Sequence, residues 1–328
     1  MTEKCTIAKR LDNKLALVTG AERGIGQEIT AELALRGCNV IMAGKDKVLL
    51  EEAKKNLLKK YSSESHGIKA CKHGDLVKKT LKPIVGDQLI PAKLDLASFE
   101  SIGKFLTDFT KKATAIDIVV CNEDIRLESY SESYEGIETQ MAVNHIGHYI
   151  LIEALIPLLL KSLDSKLVIH TSSDYVSGKV DNLEPKKDGF RPYEAYANSK
   201  LAQMMYARYL NSEVINRKLI RENKLKVLMV DPGQVTGLTQ KSPAIRLLSC
   251  GLVKSVRTPW DCVQSSLMAI LDDNIQSGSF IVDSMVKQPN EIATNFKKCE
   301  TLAKDTYEVI NSFKSSGAIL AYLGFTKL

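Results

Sequence analysis

The chain has 328 residues, 44% hydrophobic and 26% charged, with 45 Lys and Arg against 39 Asp and Glu. These are the proportions of an ordinary soluble globular protein with room for one large core. The net charge of +6 comes from lysines spread along the whole length, without a concentrated basic run or interleaved aromatics, which argues against nucleic-acid binding.

Seven cysteines form no Cys-x-x-Cys pair and are odd in number, so they are expected to be reduced thiols in a cytosol-like compartment. The N-terminal stretch Met1 to Asn13 is polar and lacks an apolar signal core, and no run of 18 or more apolar residues appears. A cytoplasmic protein with no transmembrane segment is therefore expected. The apolar stretch Ala318 to Phe325 is too short to cross a bilayer; packing on its own domain is expected, with peripheral membrane contact as the alternative.

In chain order, Lys14 to Thr19 reads as a strand ending in a glycine turn, and Ile25 to Arg36 as a helix stopped by Gly37. Cys38 to Ala43 follows as a strand and Asp46 to Tyr61 as a charged helix. Residues 62–88 are polar and Lys-rich, with Gly67, Gly74, Pro83 and Gly86 breaking any period, and read as an inserted loop. The loop holds His66, Cys71, His73 and Asp75, but their spacing matches no zinc pattern and no metal is expected. Ile116 to Cys121, Lys166 to His170 and Leu225 to Val230 are further strands, and Tyr149 to Leu160 a buried helix interrupted by Glu153 and Pro157. Strands alternating with helices predict an α/β fold: a doubly wound parallel sheet of Rossmann type, with ligands at the strands' carboxyl ends. We read one domain over 1–328, its core about 14–286, with a C-terminal tail 287–328.

Two motifs carry the chemistry. Gly20, Gly24 and Gly26 lie between a predicted strand and helix, where glycines let the backbone turn tightly and bring helix N-terminal amides to a diphosphate. Where a carboxylate for a ribose 2′-hydroxyl is usual, Gly44 is followed by Lys45, and Arg23 stands inside the glycine turn. Both cations suit a 2′-phosphate, so NADP(H) is favoured over NAD(H), although Asp46 could serve a 2′-hydroxyl and Lys45 could simply cap a turn. Tyr196 and Lys200 are spaced i, i+4, one helical turn apart, where the ammonium would favour the phenolate and make the tyrosine a usable acid or base.

Thr19 to Gly26, Asp95-Leu96, Asn144 to His148, Ser172-Ser173, Tyr196 to Lys200, Pro232-Gly233 and Thr258-Pro259 together resemble the short-chain dehydrogenase/reductases. Within them the chain is similar to the retinol-dehydrogenase-like and WW-domain-oxidoreductase-like group, from about Lys14 to Val286. The resemblance implies that Tyr196 exchanges a proton with the substrate oxygen, Ser173 orients that oxygen, Lys200 holds the nicotinamide ribose and lowers the tyrosine pKa, and Asn144 fixes a relay water. Ser173 is preferred to Ser172 because the family's catalytic serine is usually the second. It further implies cofactor contacts from Gly20, Arg23, Gly24, Ile25, Gly26, Lys45, Asp95, Leu96, Asn122, Pro232, Gly233 and Thr236, besides Tyr196 and Lys200. Duller roles exist: Asp95 could cap a helix, Ser173 could end a strand, Asn144 could join helix backbone, and His145 and His148 could pack.

One departure stands out. Where the family has Asn-Asn-Ala-Gly, this chain reads Cys121-Asn122-Glu123-Asp124, placing two carboxylates where two small residues line the adenosine ribose. We expect this change and the 62–88 insertion to bear on cofactor affinity more than on the reacting centre. The implied function is NADP(H)-dependent interconversion of a carbonyl and an alcohol on a mainly apolar molecule, such as a retinoid, steroid or xenobiotic carbonyl. Residues 237–257 stand at the position of the substrate lid. The alternative is a non-enzymatic binding, scaffold or redox-sensing protein with a weakened cofactor site. A homodimer and a monomer both stay open, since the tail could block the helices through which the family associates.

Overall fold

Short aliphatic runs form the strands: β1 Leu15–Thr19, β2 Asn39–Gly44, β3 Leu89–Lys93, β4 Ile118–Cys121, β5 Lys166–His170, β6 Lys226–Asp231, β7 Phe280–Val282 and β8 Met285–Lys287; the central ones, β1, β2, β4, β5 and β6, are buried along nearly their whole length, whereas β3 is partly buried and β8 exposed. The computed structural model describes residues 3–62, 68, 72–216, 225–233, 257–313 and 317–320. The strands lie in the order β3-β2-β1-β4-β5-β6-β7-β8. Pairing is parallel through β7, and β8 folds back antiparallel. Continuous burial is what a sheet covered on both faces requires. Strand order reverses between β1 and β4, so the crevice at their carboxyl ends is the natural ligand site.

Among the described residues the longer helices that cover the sheet are α1 Gly24–Leu35, α2 Lys47–Tyr61, α3 Phe99–Lys112, α4 His148–Leu159, α5 Pro192–Asn216, α6 Pro259–Leu271 and α7 Phe296–Ser312. One core packs α1, α2 and α6 against Ala16, Val18, Val40 and Val120, and the other packs α3, α4, α5 and α7 against Leu17, Val119 and Ile169. The sequence supplies the helix starts. Asp46 accepts from the amides of Val48 and Leu49 and so caps α2, while Thr258 and Asp261 form a reciprocal capping box with Pro259 at the first turn of α6. The stretch Thr139–Leu159 has the length and hydropathy of a membrane span, but 94% of it is buried inside the molecule. It is a core element of the fold.

The described part of the 62–88 insertion is more ordered than a loop. It forms a short helix at Asp75–Lys78 and packs along α1. His73 Nε2 lies 2.8 Å from Glu32 Oε1, Arg36 pairs with the same carboxylate, and the His73 ring meets Trp260 edge-on at 5.4 Å. His66 and Cys71 lie outside the described residues. The tail is equally engaged: α7 lies along α5, with Phe296 against Tyr209, and Thr306 Oγ1 bonds His145 Nε2 at 2.9 Å.

Glu32 and Arg36 are buried charges, tolerable only as a pair, and His73 adds a buried hydrogen-bonding partner to the same carboxylate. Glu32→Ala is therefore expected to leave the Arg36 guanidinium buried without its partner and to cost about 3–5 kcal/mol, read as a lowered urea midpoint.

Candidate active site

The turn between β1 and α1 needs its glycines. Gly20 and Gly24 adopt φ of 64° and 57°, in the left-handed region. A Cβ on Gly26 would stand 2.1 Å from the Gly20 carbonyl oxygen, closer than any side chain allows. Asn122 pins the turn by donating from Nδ2 to the Thr19 carbonyl at 2.7 Å. The Thr19 hydroxyl accepts from the backbone amides of Asn122 and Glu123 at 2.8 and 2.9 Å. The same hydroxyl meets His148 Nε2 at 3.1 Å, and His148 Nδ1 reaches the Asn144 carbonyl at 3.2 Å. Burial holds His148 down to about 4, so the ring is neutral near pH 7. A neutral ring donating from Nδ1 accepts from Thr19 at Nε2. One bonded line thus runs from the glycine turn to Asn144.

The first turn of α1 follows the glycine turn directly and carries no acidic residue, and Arg23 before it makes no side-chain cap. That end fits a diphosphate. The adenosine side is more acidic. Glu22 Oε2 is buried with no hydrogen-bond partner and lies 2.3 Å from where a Cβ on Gly44 would be, beside the end of β2. Glu123 Oε2 holds the same relation to Gly20. Burial pushes the Glu123 carboxyl up to about 7, with Glu22, Asp124 and Asp95 adding to the rise and Arg23 opposing it. Lys45 projects into solvent at 69% side-chain exposure and pairs with Asp95 at 3.2 Å. Asp95 also accepts from the Ala97 amide, so it holds the turn before α3. Leu96 is buried against Gly147, and Ile25 is half-buried in the first turn of α1. Asp46 is engaged as the cap of α2.

The reacting end is built on α5, which places Tyr196 and Lys200 one turn apart, 6% and 1% exposed. Both meet Asp124. Tyr196 Oη donates to Asp124 Oδ2 at 2.9 Å, and Lys200 Nζ lies 3.0 Å from Asp124 Oδ1. The expectation that Glu123 and Asp124 bear on cofactor affinity more than on the reacting centre is corrected for Asp124, whose carboxylate reaches the reacting centre. Lys200 gives its remaining bonds to Gln203 Oε1 at 3.1 Å and the His170 carbonyl at 3.3 Å. The expected lowering of the tyrosine pKa is also corrected. Burial raises it, the Asp124 charge and hydrogen bond raise it further, and a hydrogen bond with Ser172 is the opposing influence.

Ser173 is engaged by Asp231, with its amide 2.9 Å from Oδ2 and its hydroxyl on the same oxygen, while the Ser172 hydroxyl accepts from the Asp174 amide at 3.2 Å and opposes the rise at Tyr196. Asn144 sits in a π-helical segment, Ala142–Gly147, that widens the entry to α4. Its side chain bonds the Ile125 amide and carbonyl and Ser199 Oγ at 2.9, 3.0 and 3.0 Å, so it joins the loop after β4 to α5. Gly233, at φ 77°, donates its amide to Asp231 Oδ1 at 2.8 Å beside Pro232. Thr236 and nearly all of 237–257 lie outside the described residues. Sequence reasoning missed Thr19, His148, Gln203 and the reach of Asp124; only the last left a signal, a carboxylate in place of a glycine.

A glycine cradle and a Tyr–Lys pair at the carboxyl edge of a doubly wound sheet define an oxidoreductase built around a dinucleotide site. Residues 14–72 and 68–244 match the family described as short chain dehydrogenase, and the chain belongs to that family. Its relatives include retinol dehydrogenase 11 of Mus musculus, 28% identical over 277 residues, 83% of this chain and 78% of that one. Retinol dehydrogenase 12 of Homo sapiens is 28% identical over 311 residues, 93% of this chain and 89% of the other. Among solved structures, a protein of Mycobacterium paratuberculosis superposes with a TM-score of 0.68 at 20% identity, covering 93% of this chain and 98% of its own. A Shigella flexneri short chain dehydrogenase complexed with NADP gives 0.57 at 21% identity, covering 85% and 100%. Identities at this level speak for the fold.

Glu123 yields a stability prediction. Its folded pKa is raised from 4.5 to about 7, so the native state holds the proton more tightly, and stability present below pH 4.5 is lost as pH rises to about 7. Glu123→Ala is expected to abolish this loss, worth up to about 3 kcal/mol at pH 8. Urea unfolding of both proteins at pH 5 and pH 8 checks it; parallel losses in the two would refute the assignment.

Proposed function

We propose that this chain transfers hydride between a nicotinamide dinucleotide and a small, mainly apolar carbonyl or alcohol, with Tyr196 exchanging the proton. One observation carries the reading: Tyr196 Oη and Lys200 Nζ converge on a single carboxylate, at 2.9 and 3.0 Å. The groups that would hold a reacting oxygen and a ribose are therefore already aimed at one point. When bound, the cofactor supplies or accepts the hydride. The chain's own task is to position and to move the proton: Tyr196 at the reacting oxygen, Ser172 or Ser173 beside it, Lys200 at the ribose, and Asn144 bracing the loop.

NADP(H) is favoured by Lys45 and Arg23, both exposed on the cofactor side, since a 2′-phosphate could replace Asp95 as the partner of Lys45. NAD(H) is the alternative, favoured by Glu22, whose unpartnered oxygen would accept from a ribose hydroxyl and repel a phosphate. Relatives named retinol dehydrogenases support a retinoid-like substrate. The free, buried thiols of Cys5, Cys38, Cys121, Cys262 and Cys299 support a reducing, cytoplasmic setting. The packing of α7 along α5 supports a monomer over a dimer built on that face. A second reading, a non-enzymatic dinucleotide sensor, is favoured by Glu22, Glu123 and Asp124 together, which place negative charge along the site.

Tyr196→Phe separates the two. If the chain is an enzyme, turnover of NADPH with a panel of apolar aldehydes and ketones falls about 10²–10⁴-fold while NADPH affinity by calorimetry holds. Turnover that survives the substitution would sink the mechanism. Turnover absent from the parent chain, with NADPH still bound, would favour the sensor.

A further inference from the structure

Asp124 touches both reacting groups, and neither the cradle nor the fold needs it there. It extends from the loop after β4 with its side chain 37% exposed, while Tyr196 and Lys200 are buried. Each of its oxygens takes one of them. The other polar and charged groups facing this point are few. From α5 come Lys200 and Gln203, and from the segment after β5 come Ser172 and Asp174. From its own loop comes Glu123 on one side. On the other is Arg126, whose guanidinium lies 5.3 Å from the Tyr196 ring and is drawn to Asp174 at 3.9 Å.

We propose that Asp124 is a positioning residue of this site: through its two contacts it keeps Tyr196 protonated and Lys200 turned inward, so that the tyrosine can serve as a base only when this carboxylate withdraws. Three considerations support it. A phenolate at Tyr196 would face a carboxylate at hydrogen-bond distance, a like-charge contact. Asp174 adds negative charge from a second side. The ammonium that should offset both has three protons, and Asp124, Gln203 and the His170 carbonyl take all three. Tyr196 is correspondingly raised by burial and by Asp124, with geometry and electrostatics agreeing. Asp124 itself is exposed and belongs to no strand or helix.

The inference rests on the reading of Tyr196 as the reacting group, and the test keeps the two apart. The chain has 11 tyrosines, so the ultraviolet absorbance of tyrosinate is titrated in each variant and in the same variant carrying Tyr196→Phe; the difference isolates Tyr196. Asp124→Asn, which keeps the shape, and Asp124→Gly, which removes the side chain, are both expected to ionise Tyr196 about one to three pH units below the parent. Circular dichroism confirms the fold of each. An unchanged Tyr196 titration in both variants overturns the proposal. Calorimetry with NADPH and NADH on the same samples separates the outcomes. A tyrosinate shift without dinucleotide binding in any variant upholds the role of Asp124 and sinks the oxidoreductase reading. Binding without a shift overturns the role of Asp124 and leaves the enzyme and the sensor to be separated by turnover.

Discussion

A lysine ammonium has three protons to donate, and at Lys200 all three go to the chain itself. The organisation of the site follows from that commitment. Lys200 is almost wholly buried, so each bond it makes is needed to offset the cost of removing a charge from water. Gln203, the His170 carbonyl and Asp124 together meet that cost, and they also fix the direction of the ammonium. Any molecule that binds here must replace one of these bonds with one as good. Asp124 is the replaceable partner, because it is exposed and loop-borne, whereas the other two belong to β5 and α5.

The acidic wall of the crevice poses the complementary problem. Glu22 and Glu123 lie where their side chains nearly touch Gly44 and Gly20, and their mutual repulsion adds to burial in holding the Glu123 carboxyl near neutrality. A site for a dinucleotide gains from positive potential, and here it comes from Arg23, Lys45 and the amides of α1. The balance between these sets is local and depends on protonation. A chain of this composition can therefore hold a dinucleotide without being indifferent to pH.

The alternation of strands and helices, the glycine turn and the Tyr196–Lys200 pair were legible in the sequence because each depends on local spacing: an apolar run, a glycine where the backbone turns left-handed, a period of four on a helix. The engagement of Ser173 was not legible, since it depends on Asp231, 58 positions away, taking both its amide and its hydroxyl. The sign of the tyrosine shift failed for the same reason. Lys200 sits close in sequence to Tyr196, but the carboxylate that counters it is 72 positions distant and joins it only in the folded sheet. The 62–88 segment looked featureless because its anchor, Glu32, lies on another helix.

The placement of α7 bears on how the molecule comes into being. Thr306 reaches His145 across 161 positions, and α7 lies along the helix that carries Tyr196 and Lys200. During synthesis the first half of the sheet can collapse as soon as β4 emerges, yet α5 keeps an uncovered apolar flank until α7 has emerged. Covering of the helix that bears the reacting pair is thus tied to the arrival of α7. A truncated chain would carry the entire constellation of Asn144, Ser172, Tyr196 and Lys200 and still lack the layer that closes over it.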